Sequence, residues 1–136
     1  MPNRKQWEYK RHEKDSTDNW TYCIFITVFI WALPAPIDND LNKIGNGKKS
    51  VVFIYDLNRA VSNQQTIEMN IAKEERGDTV NYLVSRTGYP ATDKFMQAHK
   101  AQIAELLFFD ESGALFKRKF ALINAADLAI ILASVD

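Results

Sequence analysis

The sequence predicts an α/β domain, a mixed four-stranded sheet with helices on both faces, preceded by an apolar N-terminal segment. Three observations carry that prediction. Short runs rich in Val, Ile and Phe alternate with stretches whose apolar residues fall at helical spacing, in the order β-α-β-α-β-β-α over about ninety residues. The last two β-type runs flank "DESG", a turn sequence. Hydrophobic residues make up 46% of the 136, enough for one compact core.

The first fifty residues differ from the rest. "MPNRKQWEYKRHEKDSTDNW" is polar, with five basic and four acidic residues, and "TYCIFITVFIWAL" is apolar apart from its threonines. From Tyr22 to Leu33 the block is twelve residues. That is shorter than the roughly 20 that cross a bilayer and within the roughly 7–15 of a signal-peptide core. Residues 1–36 are therefore expected to be a leader with a signal peptide or a retained membrane anchor, sending the chain to the periplasmic or extracellular side. A cut after Ala35 would meet Pro36, which hinders a peptidase, so retention stands beside removal. Ile24, Ile26, Val28 and Ile30 alternate with Phe25, Thr27, Phe29 and Trp31, which is also the pattern of a buried strand. The Pro-, Gly- and Asn-rich stretch that follows gives a linker over 37–49, and the domain occupies 50–136.

Within the domain, "SVVFIYD" is too short for a helix and rich in β-branched residues, so it forms a central strand. Ser62 and Gln65, three apart, form a capping box for the next helix, where Ile67 with Ile71 and Met69 with Ala72 supply apolar positions. Gly77 closes that helix. "TVNYLVSR" alternates as a second strand. After "TGYP", Thr92 and Asp93 open a second helix. "AELLFFDESGALFKRKFAL" is an antiparallel hairpin, with Asp110 starting the turn and Gly113 in the left-handed position. Asn124 caps a final helix whose stripe, Leu128, Ile131, Leu132 and Val135, must lie on the sheet. Helical crossovers make the first strands parallel, and the hairpin adds an antiparallel edge.

Several chemistries are excluded or disfavoured. Lysine plus arginine equals aspartate plus glutamate, 17 against 17, which leaves no basic excess for nucleic acid. The one cysteine, Cys23, lies in the apolar block, so there is neither an internal disulfide nor a multi-cysteine zinc site. His12 and His99 have no partner at ligand spacing, and Asp110 and Glu111 are solvated turn acids. "IGNGKKS", with Gly45 and Gly47, lacks the spacing of a phosphate loop and precedes a strand. In "FKRKF", Lys117 and Lys119 face one way and Arg118 the other, as guards of an exposed edge. No cofactor follows from these residues.

Ser50 to Val135 resembles the thioredoxin-like superfamily, most closely in "IAELLFFDESGALFKRKFALINAADLAIILAS", which looks like that fold's closing hairpin and final helix. The family's Cys-x-x-Cys would fall within "DLNRAVSNQ", where there is no cysteine, and its cis-proline near Ile103 and Ala104, where there is no proline. The resemblance therefore implies the fold of a divergent member without its redox chemistry. Thiol-disulfide exchange needs a thiolate, and a serine hydroxyl stays protonated at neutral pH. The expectation is a redox-inactive, non-enzymatic domain that binds another protein. The resemblance places Leu57, Asn58, Arg59 and Asn63 with Gln102 and Glu105 at one end of the sheet as the partner-binding surface. Two alternatives stand beside it. One is a structural accessory subunit of a membrane assembly, its apolar segment packed among other helices. The other is a cysteine-independent enzyme using Asp56 and Arg59 at a strand's C-terminal end, where α/β sites lie. "VVFIYDLNRAV" superficially resembles the aspartate loop of haloacid-dehalogenase-like phosphatases, but their second acid is here Asn58.

Overall fold

The computed structural model describes residues 36–135. The expected leader, the signal or anchor segment, His12 and Cys23 lie outside the described residues. Strands β1 (Lys49–Tyr55), β2 (Val80–Arg86), β3 (Glu105–Phe109) and β4 (Leu115–Phe120) form one sheet in the order β2-β1-β3-β4. Helices α1 (Ala60–Arg76), α2 (Pro90–His99) and α3 (Ala125–Ala133) complete the predicted mixed α/β order.

β1 and β2 are parallel, from Lys49 opposite Val80 to Tyr55 opposite Arg86, as a helical crossover dictates. β3 is not. It runs antiparallel to β1, with Phe53 opposite Leu106, and β4 runs antiparallel to β3. The expectation of parallel first strands thus holds for one pair only. The ten-residue α2 delivers the chain to Ala104, whose N–H donates to the Ile54 carbonyl at 3.0 Å. That is the sheet end at which β2 finished, so β3 has to run back.

Alternation along each strand sends neighbouring side chains to opposite faces. Val51, Phe53, Tyr82, Leu106 and Phe108 meet Met69 and Ala72 of α1 and Leu128 and Leu132 of α3. Val52, Ile54, Leu83, Leu107 and Phe109 meet Phe95 of α2 and Ala101 just past it. With helices on both sides, β3 is buried at every position.

Local signals fare unevenly. Gly77 ends α1 at φ 58°, Gly113 turns the hairpin at φ 88°, and the Asn124 side chain accepts the Asp127 N–H at 2.8 Å. The capping box at Ser62 and Gln65 is corrected: α1 starts at Ala60 behind Arg59, without a side-chain cap, and both polar residues turn inward. Thr92 likewise does not open α2. Pro90 occupies its first turn, while the buried Thr92 hydroxyl accepts from Ser85 Oγ at 3.0 Å. The stretch expected as a linker also touches the domain. Asp38 bridges Leu83 in parallel, Leu41–Lys43 forms a 3-10 turn, and Leu41 and Ile44 pack on the α2 face.

Candidate functional site

β1 leaves the core at Tyr55 and enters a turn that Asp56 organises. Its Oδ1 accepts the Asn58 N–H at 2.9 Å and its carbonyl the Arg59 N–H at 3.2 Å, an Asx-type closure. Behind the turn, buried Ser62 Oγ accepts the Asp56 N–H at 3.1 Å. On its far side Tyr55 Oη donates to Asn63 Oδ1 at 2.7 Å. The junction is therefore held from both flanks. Leu57, 59% exposed, stands outward with Asn58 and Arg59. Arg59 Nε lies 3.9 Å from Asp56 Oδ2, a loose pair between an exposed guanidinium and a half-buried carboxylate.

The second expected segment comes alongside through the Ala104–Ile54 hydrogen bond. Ala104 sits at φ 64°, in the left-handed region, and its carbonyl accepts the Ala121 N–H at 2.9 Å, tying β1 to the end of β4. Gln102 is exposed, as a docking role requires. Glu105 is not. It is 4% exposed, and its carboxylate accepts Arg118 Nε at 2.7 Å, Arg118 Nη2 at 3.0 Å and the Gln102 N–H at 2.8 Å. Arg118 also donates to the carbonyls of His99 and Lys100 at 3.0 and 2.9 Å, closing the C-terminal end of α2. Burial pushes the Glu105 carboxyl up, but the hydrogen bonds from Arg118 and Gln102 and the Arg118 charge outweigh it, and it lies below its usual range. Leu57, Asn58, Arg59, Asn63 and Gln102 thus share an exposed end of the sheet, while Glu105 holds that end together from inside.

Sequence reasoning missed the neighbouring groove. A cleft of about 460 Å³ is lined by Tyr55, Leu57, Asn63, Ile67, Val84 and Arg86. The missed signal was in α1: Met69 and Ala72 face the core, and Ile67 and Ile71, 58% and 40% exposed, form a separate outward stripe. Chemically the junction offers contact. The Asp56 carboxylate closes its own turn, Ser62 is buried against backbone, and His99 belongs to the opposite face, packed on Phe95 and Phe109. Among the described residues no three His, Cys, Asp or Glu side chains cluster as a metal site, and no helix is long and apolar enough to cross a membrane.

No family model and no curated protein matches the sequence. Solved structures do match the fold. An uncharacterised thioredoxin-like protein from Clostridium perfringens superposes with a TM-score of 0.65 at 17% identity, over 73% of this chain and 79% of its own. Thioredoxin-2 of the malaria parasite, a component of that organism's protein secretion machinery, gives 0.58 at 11% identity, over 63% and 82%. The exposed lipoprotein thioredoxin of Streptococcus pneumoniae gives 0.54 at 13% identity, over 66% and 87%. Identities this low carry the architecture alone. The chain has a thioredoxin-like fold whose strand-to-helix junction, from Asp56 to Gln64, contains no cysteine.

Proposed function

We propose that the domain is a redox-inactive protein-binding module, exported or held at a membrane, that docks its partner on the exposed junction between β1 and α1. One observation carries the reading. Leu57, Asn58 and Arg59 are presented on a turn pinned by Asp56 and Ser62, at the strand-to-helix junction where the fold's redox members carry their thiols, and no thiol is there. A turn whose backbone is already fixed by hydrogen bonds loses little further backbone freedom on binding, which favours recognition. The apolar Tyr22–Leu33 block supports targeting, and the pneumococcal exposed lipoprotein offers an exported precedent for the fold. An accessory subunit of a membrane assembly would use the same surface. Hydrolysis by Asp56 and Arg59 has less support, because the carboxylate closes its own turn and the guanidinium stands 3.9 Å away.

A photoactivatable residue at Asn58 of the full chain in native membranes tests the reading. A discrete cross-linked adduct is expected, with its yield reduced roughly tenfold by joint Arg59→Ala and Asn63→Ala changes. Undiminished capture would remove this surface from consideration, and reduction of insulin by dithiothreitol faster than in buffer alone would overturn the redox-inactive assignment.

A further inference from the structure

We infer that the outer edge of β2 is a second docking site, shaped to take an extended peptide segment of another protein as an added strand. That segment would carry apolar side chains at alternate positions and a carboxylate facing Arg86. The inference goes beyond the junction reading and shares Leu57 and Asn63 with it.

β2 is an edge strand, and its outer side is already used once. Val84 N–H donates to the Asp38 carbonyl at 2.8 Å within the isolated Asp38–Leu83 bridge. In a parallel ladder that continued, the Asp40 N–H would next reach the Val84 carbonyl. It turns instead onto Asp38 Oδ1 at 2.9 Å, and the chain leaves the edge in the Leu41–Lys43 turn. Among the described residues nothing takes the outward Val84 carbonyl or Arg86 N–H, which are left for another strand.

Two clefts flank this open edge, one on each face of the sheet. The cleft of about 460 Å³ on the α1 face has apolar walls at Ile37, Tyr55, Leu57 and Ile67. On the α2 face a cleft of about 220 Å³ is lined by Leu41, Tyr89, Ala91 and Thr92. Val84 and Arg86 border both. Successive side chains of a strand point to opposite faces, so a segment laid along the edge would drop alternate residues into the two clefts. Strand addition of this kind takes affinity from main-chain hydrogen bonds and specificity from such pockets. Arg86 is exposed, and no ion pair among the described residues includes it. A lone edge cation discourages indiscriminate pairing, and here it selects a segment that brings a carboxylate.

The test pans a phage-displayed library of random peptides on the full-length chain in detergent. The enriched peptides are expected to alternate apolar residues around one Asp or Glu, and a synthetic copy is expected to slow amide exchange at Arg86. Arg86→Glu should weaken that copy roughly tenfold, and exchanging its acid for lysine should restore binding. N-methylation of the copy's edge-facing amides should abolish it. Absence of enrichment, indifference to Arg86→Glu, or competition by a second copy of the chain pairing edge to edge would overturn the inference. Peptides that protect Asn58, Arg59 and the Gln102–Ala104 approach but not Arg86 would sink the edge site while leaving the junction reading intact. An edge peptide that binds while the Asn58 adduct fails to form would do the reverse.

Discussion

Glu105 makes a structural tie out of a residue whose position suggested a docking role. Its partner Arg118 lies across the β3–β4 hairpin, where Arg118 stands opposite Leu107, two residues from Glu105 on the same face. The alternation in "FKRKF" separated Arg118 from its two lysines, but the hairpin register decides which acid it meets, and a one-residue slip would have sent it to the other face. The pair has a consequence for pH. Glu105 is held below its ordinary 4.5, so its contribution is complete above that value and is lost as pH falls through the folded-state pKa. His99 is depressed below its ordinary 6.5, first by burial and then by the Arg118 charge. A depressed histidine binds fewer protons folded than unfolded, so stability is also lost as pH falls from about 6.5. Urea titrations from pH 7 to 3 should therefore show a first, shallow loss that His99→Gln removes and a second below about 4.5 that Glu105→Gln reduces. Retention of the first limb in His99→Gln would refute the assignment.

Among the elements, α1 shows why a spacing rule can identify the right residues and miss their work. Ser62 and Gln65 satisfy the capping-box spacing, yet both are fully buried. Gln65 Nε2 donates to the Ile123 carbonyl at 2.9 Å and its Oε1 accepts the Ile123 N–H at 2.8 Å, while Glu68 Oε2 accepts the Ala125 N–H at 2.8 Å. One face of α1 thus supplies the hydrogen bonds that the β4–α3 connection lacks. Caps at Asn124 and turns at Gly113 were legible because their partners lie within a few residues, whereas the partner of Gln65 lies 58 residues away, fixed only when the helix docks on the sheet. Replacing Gln65 with leucine keeps much of the volume and strands a buried N–H and carbonyl, at about 1–3 kcal/mol each. Gln65→Leu should lower unfolding free energy by roughly 3 kcal/mol, read as a lower denaturant midpoint with an unchanged slope. A loss under about 1 kcal/mol would mean that water or another side chain serves Ile123 equally well.

For the molecule as a whole, the order of strands and helices was legible because each element has its own hydrophobic period, and a thioredoxin-like architecture persists at 17% identity for the same reason. Residues 37–48 have no period, so their attachment was invisible. Leu41 and Ile44 are half-buried on the α2 face, Asn81 Nδ2 donates to the Lys43 carbonyl at 3.1 Å, and the Gly47 N–H donates to the Glu111 carbonyl at 3.1 Å. Lys43 in turn pairs with Asp38 beside the β2 bridge. Full burial of a leucine or isoleucine stabilises by about 1.5–3 kcal/mol, so two half-buried side chains and two hydrogen bonds together contribute on the order of 3 kcal/mol. A domain near a hundred residues shifts by about 4–8 °C for each kcal/mol. A chain begun at Pro36 should therefore melt in one cooperative transition, and one begun at Lys48, with β1 intact, should melt roughly 12–24 °C lower. The same removal strips Asp38 from Val84 and bares the whole outer edge of β2, so the shorter chain should also associate with itself as concentration rises. Coincident melting of the two chains would show that the segment is a tether after all, and that the edge it borders is closed by something other than Asp38.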